Sequence, residues 1–173
     1  PDTLARIVDE QGEEIWDLNV PGELEFQGPQ VMQGYLNDPE DERLVRDGPW
    51  LRTGDVAVWL PGGYLKIIDR LKDMILVSGF NVFPSEIEDV VSRNPRVAEC
   101  ACIGIPSDTT GETVKLFVVK QDPTLTKAQL LNECRKTLTG YKLPRVVEFV
   151  PRLPKTPVGK VMRRYLKQNR LAD

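Results

Sequence analysis

Apolar and polar residues alternate in short runs over the first third of the chain. ARIVD (5–9), GELEF (22–26) and LRTGDVAVWL (51–60) are β-rich, bounded by Pro21-Gly22, Gly28-Pro29 and Pro61-Gly62-Gly63. YLKII (64–68) follows as a further strand, and the charged stretch 39–46 is predicted as a short helix. These strands do not by themselves fill a closed barrel. Beyond residue 73 the period changes. MILV (74–77) reads as a strand, Ser78-Gly79 as a turn and NVFP (81–84) as extended chain. Ser85 to Glu88 matches a capping box, with Ile87, Val90 and Val91 on one apolar face before Asn94-Pro95 stops the helix. VAECACIGI (97–105) and TVKLFVVK (113–120) are strands joined by PSDTTGE. Thr126 to Gln129 is a second capping box, and Leu130, Leu131, Cys134 and Leu138 continue at helical spacing to Gly140. VVEFV (146–150) is a strand, and VMRRYLKQNR (161–170) a closing basic helix. The order helix, strand, strand, helix, strand, helix predicts a small α+β domain with helices packed on a short sheet.

Charge sharpens that division. Residues 1–69 carry 15 acidic and 5 basic side chains, a formal −10, whereas 70–173 carry 11 and 18, a formal +7. The shift falls in Asp69-Arg70-Leu71-Lys72-Asp73, which places a domain boundary at 69/70 and a hinge near 69–73. From Arg152 to Arg170 there are seven cations and no acid. Such a surface attracts polyanions, or is the solvated face of a helix whose cations favour its C-terminus. Nucleic acid is set aside as a partner, because no aromatic stacking pattern interleaves the cations and the whole chain is acidic.

Composition removes several chemistries. There is no histidine, which excludes His-based triads, HExxH zinc sites and His proton shuttles within this chain. Cys100, Cys102 and Cys134 form no CxxC pair, and the alternation in ECACIGI predicts small buried strand residues rather than metal ligands. No run approaches the ~20 apolar residues that span a bilayer, and no signal peptide opens the chain. A cytoplasmic, reducing compartment is expected. The first residue is Pro1 rather than Met, as expected of a piece of something longer.

Three loops are chemically unusual. In Arg52-Thr53-Gly54-Asp55 the glycine permits a tight turn, and the carboxylate suits the vicinal hydroxyls of a ribose. In the stretch 69–88, Gly79 lets the backbone approach a ligand or take a positive φ. In LPKTPVGK (153–160) two prolines and a glycine stiffen a loop that places Lys160 at the start of a helix, where dipole and ammonium together favour an anion. Taken singly, each has an ordinary structural explanation: an Asp bonding its own backbone, a turn glycine, a solvated lysine.

In their order along the chain, GELEFQGPQVMQGY (22–35), LRTGD (51–55), DRLKDMILVSGFNVFPSEIE (69–88) and LPKTPVGKVMRR (153–164) resemble the adenylate-forming acyl-CoA synthetase family. Within it they are most similar to the bacterial long-chain fatty acyl-CoA ligases. GETVKLFVVK (111–120) and LTGYKLPRVVEF (138–149) extend the likeness over essentially the whole chain. The resemblance implies that 1–69 is the β-rich end of a large N-terminal domain and 70–173 a small mobile C-terminal α+β domain. It implies a two-step reaction: a fatty acid and Mg-ATP give an acyl-adenylate and pyrophosphate, then coenzyme A gives acyl-CoA and AMP.

Residue by residue, the resemblance implies that Asp55 holds the ribose of ATP and Arg70 contacts the nucleotide near the ribose and phosphates. Lys72 matches the hinge, and Lys160 the catalytic lysine of adenylation. Ser78, Gly79 and Phe80 match the loop that forms the pantetheine channel. The family's phosphate loop and acyl pocket belong to an upstream domain that is not in these 173 residues, so the chain alone is expected to be inactive. Two other readings stay open: a non-catalytic nucleotide- or CoA-binding module, and an adenylate-forming ligase with another acyl acceptor. Chain-length preference and oligomeric state are not written in this segment. The basic final helix is the candidate for peripheral contact with the inner face of a membrane.

Overall fold

The computed structural model describes residues 2–34 and 45–168, and the chain divides into two compact units, Pro1–Lys72 and Asp73–Asp173. The division falls three residues after the charge break, within the charged cluster itself.

The first unit is a five-stranded antiparallel sheet. β1 (Leu4–Val8) pairs with β2 (Gly22–Gln27), which pairs with β4 (Trp50–Leu60). The other edge of β4 takes β3 (Arg46–Asp47) near its start and β5 (Tyr64–Arg70) along its second half. Ile7, Leu24 and Ala57 form the buried cluster, flanked by Ile15, Phe26, Trp59 and Leu65. The sheet also buries a charge. Glu25 is fully covered and held by Arg6, whose Nε donates to Oε2 at 2.7 Å, while Arg52 Nε lies 3.4 Å from Oε1. The helix expected over 39–46 lies mostly outside the described residues; of the two that are described, Val45 is helical and Arg46 pairs in β3.

The second unit is built around β9 (Gly111–Lys120), which pairs antiparallel with β8 (Val97–Ser107) along its length. The opposite edge of β9 takes β6 (Ile75–Val77) at Gly111 and, parallel to it, β10 (Val146–Phe149). β7 (Phe80–Val82) hairpins onto β6. Alternation sends β8 and β9 side chains to two buried faces. On one face Cys102, Val114, Leu116 and Val118 pack with α1 (Pro84–Ser92) and α2 (Lys127–Arg135) through Ile87, Val91, Leu130 and Cys134. On the other, Ala101, Ile103 and Phe117 meet Val150, Leu153 and Leu166 of α3 (Arg163–Gln168). The expected α+β layering and element order are therefore present; Cys102 and Cys134 are buried as the pattern predicts, whereas Cys100, expected buried with Cys102, is only half-buried.

Three expectations need correction. The capping box at Ser85 does not form: α1 begins two residues earlier than that box requires, with Pro84 at N1, where its missing N–H costs nothing, and Phe83 at the N-cap. Glu88 instead turns its carboxylate to the body of the unit, accepting from the Cys102 N–H at 2.7 Å and from Arg163 Nη2 at 2.7 Å. The second box at Thr126 and Gln129 does form, in both directions. α2 ends at Arg135, short of Gly140, although Leu138 still donates its N–H to the Cys134 carbonyl at 2.8 Å and buries its side chain. The last helix begins at Arg163 rather than at 161, because Val161 is paired in an antiparallel bridge with Lys155.

Candidate functional site

Asp55 owes its position to an irregularity in β4. Glu23 faces Val56 and Glu25 faces Arg52, so three residues of β4 bulge opposite Leu24 alone. Gly54, at φ +68°, absorbs the bend, and the Thr53 hydroxyl satisfies it by donating to the Leu24 carbonyl at 2.7 Å and accepting from the Asp55 N–H at 3.0 Å. Asp55 is thereby set opposite Arg70 of β5, and Arg70 Nε meets Asp55 Oδ1 at 2.7 Å. The two residues expected separately as nucleotide contacts are direct partners. Among the described residues Oδ2 of Asp55 has no hydrogen-bond partner, so one carboxylate edge stays available to a donor such as a hydroxyl. Lys72 follows at once, exposed in the 3-10 turn Leu71–Asp73 that straddles the division between the units.

Ser78 and Gly79 form the two-residue turn between β6 and β7. Both have positive φ, +51° and +83°, the combination that a tight hairpin of this twist demands and that glycine adopts without strain. The turn is braced from behind: the Ser78 N–H donates to the Thr110 carbonyl at 2.8 Å, and the Leu76 N–H donates to Glu112 Oε2 at 2.8 Å. A Cβ on Gly79 would meet nothing within 4 Å, so its outer side is open. Phe80, 54% exposed, stacks on Tyr141 at 4.6 Å between ring centroids. Lys142, beside Tyr141, is tied to Glu86 of α1 at 2.7 Å.

Lys160 does not stand at a helix N-terminus, as the sequence suggested. It closes a turn. Thr156 N–H donates to the Lys160 carbonyl at 2.8 Å, the Gly159 N–H donates to the Thr156 carbonyl at 2.9 Å, and the Lys160 N–H donates to the Thr156 hydroxyl at 3.1 Å. Gly159 holds φ +84°, which fixes the reversal that returns the chain to the Lys155–Val161 bridge. Lys160 is exposed and makes no ion pair among the described residues. Two cations of the same basic run are engaged internally: Lys155 with Glu99 at 2.6 Å, and Arg163 with Glu88. They were invisible as anchors in the sequence, because Glu88 fitted a capping pattern and the run read as one cationic surface. Beside the turn lies a shallow groove of about 300 Å³ whose lining includes Glu99, Cys100, Lys155 and Gly159.

The Cys100 thiol in that groove is pushed up to about 12, by burial first and by the nearby Glu88 carboxylate second. It is a poor nucleophile. Among the described residues no group of three or more His, Cys, Asp or Glu side chains is placed to hold a metal ion, and no helix is long and apolar enough to cross a membrane.

Comparison with known proteins identifies this arrangement. Residues 86–160 match the AMP-binding enzyme C-terminal domain. The long-chain-fatty-acid–CoA ligase of Escherichia coli O157:H7 is 53% identical over 168 residues, which is 96% of this chain and 30% of the relative. The chain thus spans about a third of the length of the curated relatives it matches. Among solved structures, ATP-bound MatB from Rhodopseudomonas palustris superposes with a TM-score of 0.90 at 36% identity, covering 97% of this chain and 34% of that one. The o-succinylbenzoate CoA synthetase MenE from Bacillus subtilis, in complex with the acyl-adenylate intermediate OSB-AMP, superposes with a TM-score of 0.87 at 28% identity over 99% of this chain and 35% of that one. Residues 86–160 thus match the AMP-binding enzyme C-terminal domain, and the chain as a whole is similar to about a third of the length of long-chain-fatty-acid–CoA ligases.

Proposed function

We propose that the chain is the C-terminal part of an AMP-forming long-chain fatty-acid–CoA ligase, with 1–69 completing a large upstream domain and 70–173 moving about a hinge at Lys72. The identity of 53% over 96% of the chain carries this reading, because an alignment of that extent spans the Asp55, Gly79 and Lys160 turns alike. Physical chemistry supplies each role. The free edge of Asp55 accepts hydrogen bonds from the ribose hydroxyls of ATP, while its other oxygen holds Arg70 ready for the nucleotide. ATP enters with Mg2+ on its phosphates. The Lys160 ammonium, exposed and on a stiff turn, offsets negative charge that develops between the fatty-acid carboxylate and the α-phosphate as the adenylate forms. For the second step the Ser78-Gly79 turn lies against the pantetheine arm of coenzyme A, whose thiol attacks the acyl-adenylate and releases AMP. One small unit presenting two turns in succession needs only a few hinge dihedrals to change.

The test uses the full-length enzyme, wild type against Lys160→Ala. Oleate-dependent ATP–pyrophosphate exchange should fall by about a hundred-fold or more, the scale of losing one transition-state charge partner. Thioester formation from pre-formed oleoyl-adenylate and coenzyme A should persist. Retained exchange would remove Lys160 from the chemistry. The 173-residue chain by itself should make no AMP from ATP, oleate and coenzyme A.

A further inference from the structure

The Lys160 turn is fastened at both ends. Ahead of it, Lys155 bonds Glu99 at 2.6 Å, but both side chains are about 40% exposed, and a pair so open to solvent holds weakly. Behind it stands Arg163, only 24% exposed, with Nη2 2.7 Å from Glu88 Oε2 and Nη1 3.8 Å from Asp73 Oδ2. Glu88, 20% exposed, uses its second oxygen on the Cys102 N–H of β8. A guanidinium fork between two shielded carboxylates is directional where an ammonium is not. Two residues separate Arg163 from Lys160, and both are held: Val161 is bridged to Lys155, and the Met162 N–H donates to the Pro154 carbonyl at 2.9 Å. Asp73 ends the 3-10 turn that begins with the hinge sequence Leu71-Lys72. One guanidinium therefore joins α1, the end of the hinge turn and the segment that carries the lysine.

We propose that Arg163, clamped by Glu88 and Asp73, is a positioning residue for Lys160, setting where the ammonium stands during adenylation and contributing nothing to thioester formation. The proposal rests on the reading of Lys160 as the adenylating lysine. A clamp that merely stabilised the unit would depress both half-reactions. One that aims the lysine depresses only the first.

The experiment follows both half-reactions in the full-length enzyme. Glu88→Gln keeps the side-chain length and an acceptor for the Cys102 N–H but removes the charge that holds Arg163. Pyrophosphate exchange should fall about 10- to 100-fold, the effect of displacing a catalytic group by about an ångström. Thioester formation from oleoyl-adenylate should stay within about two-fold, the residue being remote from that step. Arg163→Gln should reproduce the loss, and Arg163→Lys should recover part of it by restoring charge without the fork. The decisive arm is the double variant. In a Lys160→Ala background, Glu88→Gln should change the residual exchange by less than about two-fold, since both act through one ammonium. Independent multiplication of the two losses would overturn the proposal, as would an equal fall in both half-reactions, or unchanged exchange in folded Glu88→Gln and Arg163→Gln enzymes. If Lys160→Ala alone retained exchange, the adenylation reading itself would fail, an outcome visible in the single variant before the double one is made.

Discussion

Cys100 sits beside the Lys160 turn, yet its surroundings suppress its chemistry. Its thiol rises from an ordinary 9.0 to about 12 because burial penalises the thiolate and Glu88 repels it, and burial also raises Cys134. Between those two values only the unfolded chain gives up the proton, so this thiol stabilises the fold fully below about pH 9, and that contribution drains away as pH rises towards 12. At pH 8 the thiolate fraction of Cys100 is lowered about a thousand-fold. Greater nucleophilicity of a less acidic thiol returns part of that. Iodoacetamide should label Cys100 in the native protein at least about thirty-fold more slowly than in urea, which peptide mapping can follow. Labelling at the unfolded rate would show that the groove does not shield it. The same scale shows where pattern reading stops. Asp55 and Gly79 were legible as turn residues with unusual chemistry, and Lys160 as a lysine at the end of a stiff loop. That Glu88 serves Arg163 rather than a helix cap was not, because a sequence separation of 75 carries no spacing signal.

Elements set the two candidate turns by different means. The Ser78-Gly79 hairpin is dictated locally, by two positive φ values that few residue pairs adopt, and it was readable in the sequence. The Lys160 turn was mistaken for a helix start, since prolines, a glycine and a basic amphipathic run form that pattern. A bridge between Lys155 and Val161 decided otherwise. Parallel pairing of β10 with β9 was likewise beyond local reading, because β9–α2–β10 closes only when the sheet assembles. The hairpin permits a clean test. With open space around its Cβ position, Gly79→Ala should cost only the left-handed backbone penalty, about 1–2 kcal/mol, a drop of several degrees in Tm. If the pantetheine arm passes over this turn, thioester formation should nevertheless fall by about ten-fold or more while pyrophosphate exchange stays within about two-fold. Equal losses in both steps would reduce Gly79 to a folding residue.

Across the whole chain, burial is divided as unevenly as charge. The second unit has two clusters, one on each face of its sheet, whereas the first closes over Ile7, Leu24 and Ala57 together with the buried Glu25 carboxylate. Breaking a buried pair such as Arg6–Glu25 costs about 3–5 kcal/mol, so a small core that depends on one has little reserve. A sheet of that kind is the less stable partner when core size sets stability. The charge break foreshadowed the division, although charge says nothing of which half is the more robust. Tryptophan separates them experimentally: Trp16, Trp50 and Trp59 all precede residue 72. Among the described residues, the helices α1, α2 and α3 follow residue 73. In a urea titration of the 173-residue chain, tryptophan emission should report the first unit, and far-ultraviolet dichroism should draw most of its helical signal from the second. The emission midpoint should come at lower urea than the dichroism midpoint, since two units with separate cores depart from two-state behaviour. Coincident midpoints with matching slopes would mean that the units unfold as one, and a hinge at Lys72 would then have to work against a shared core.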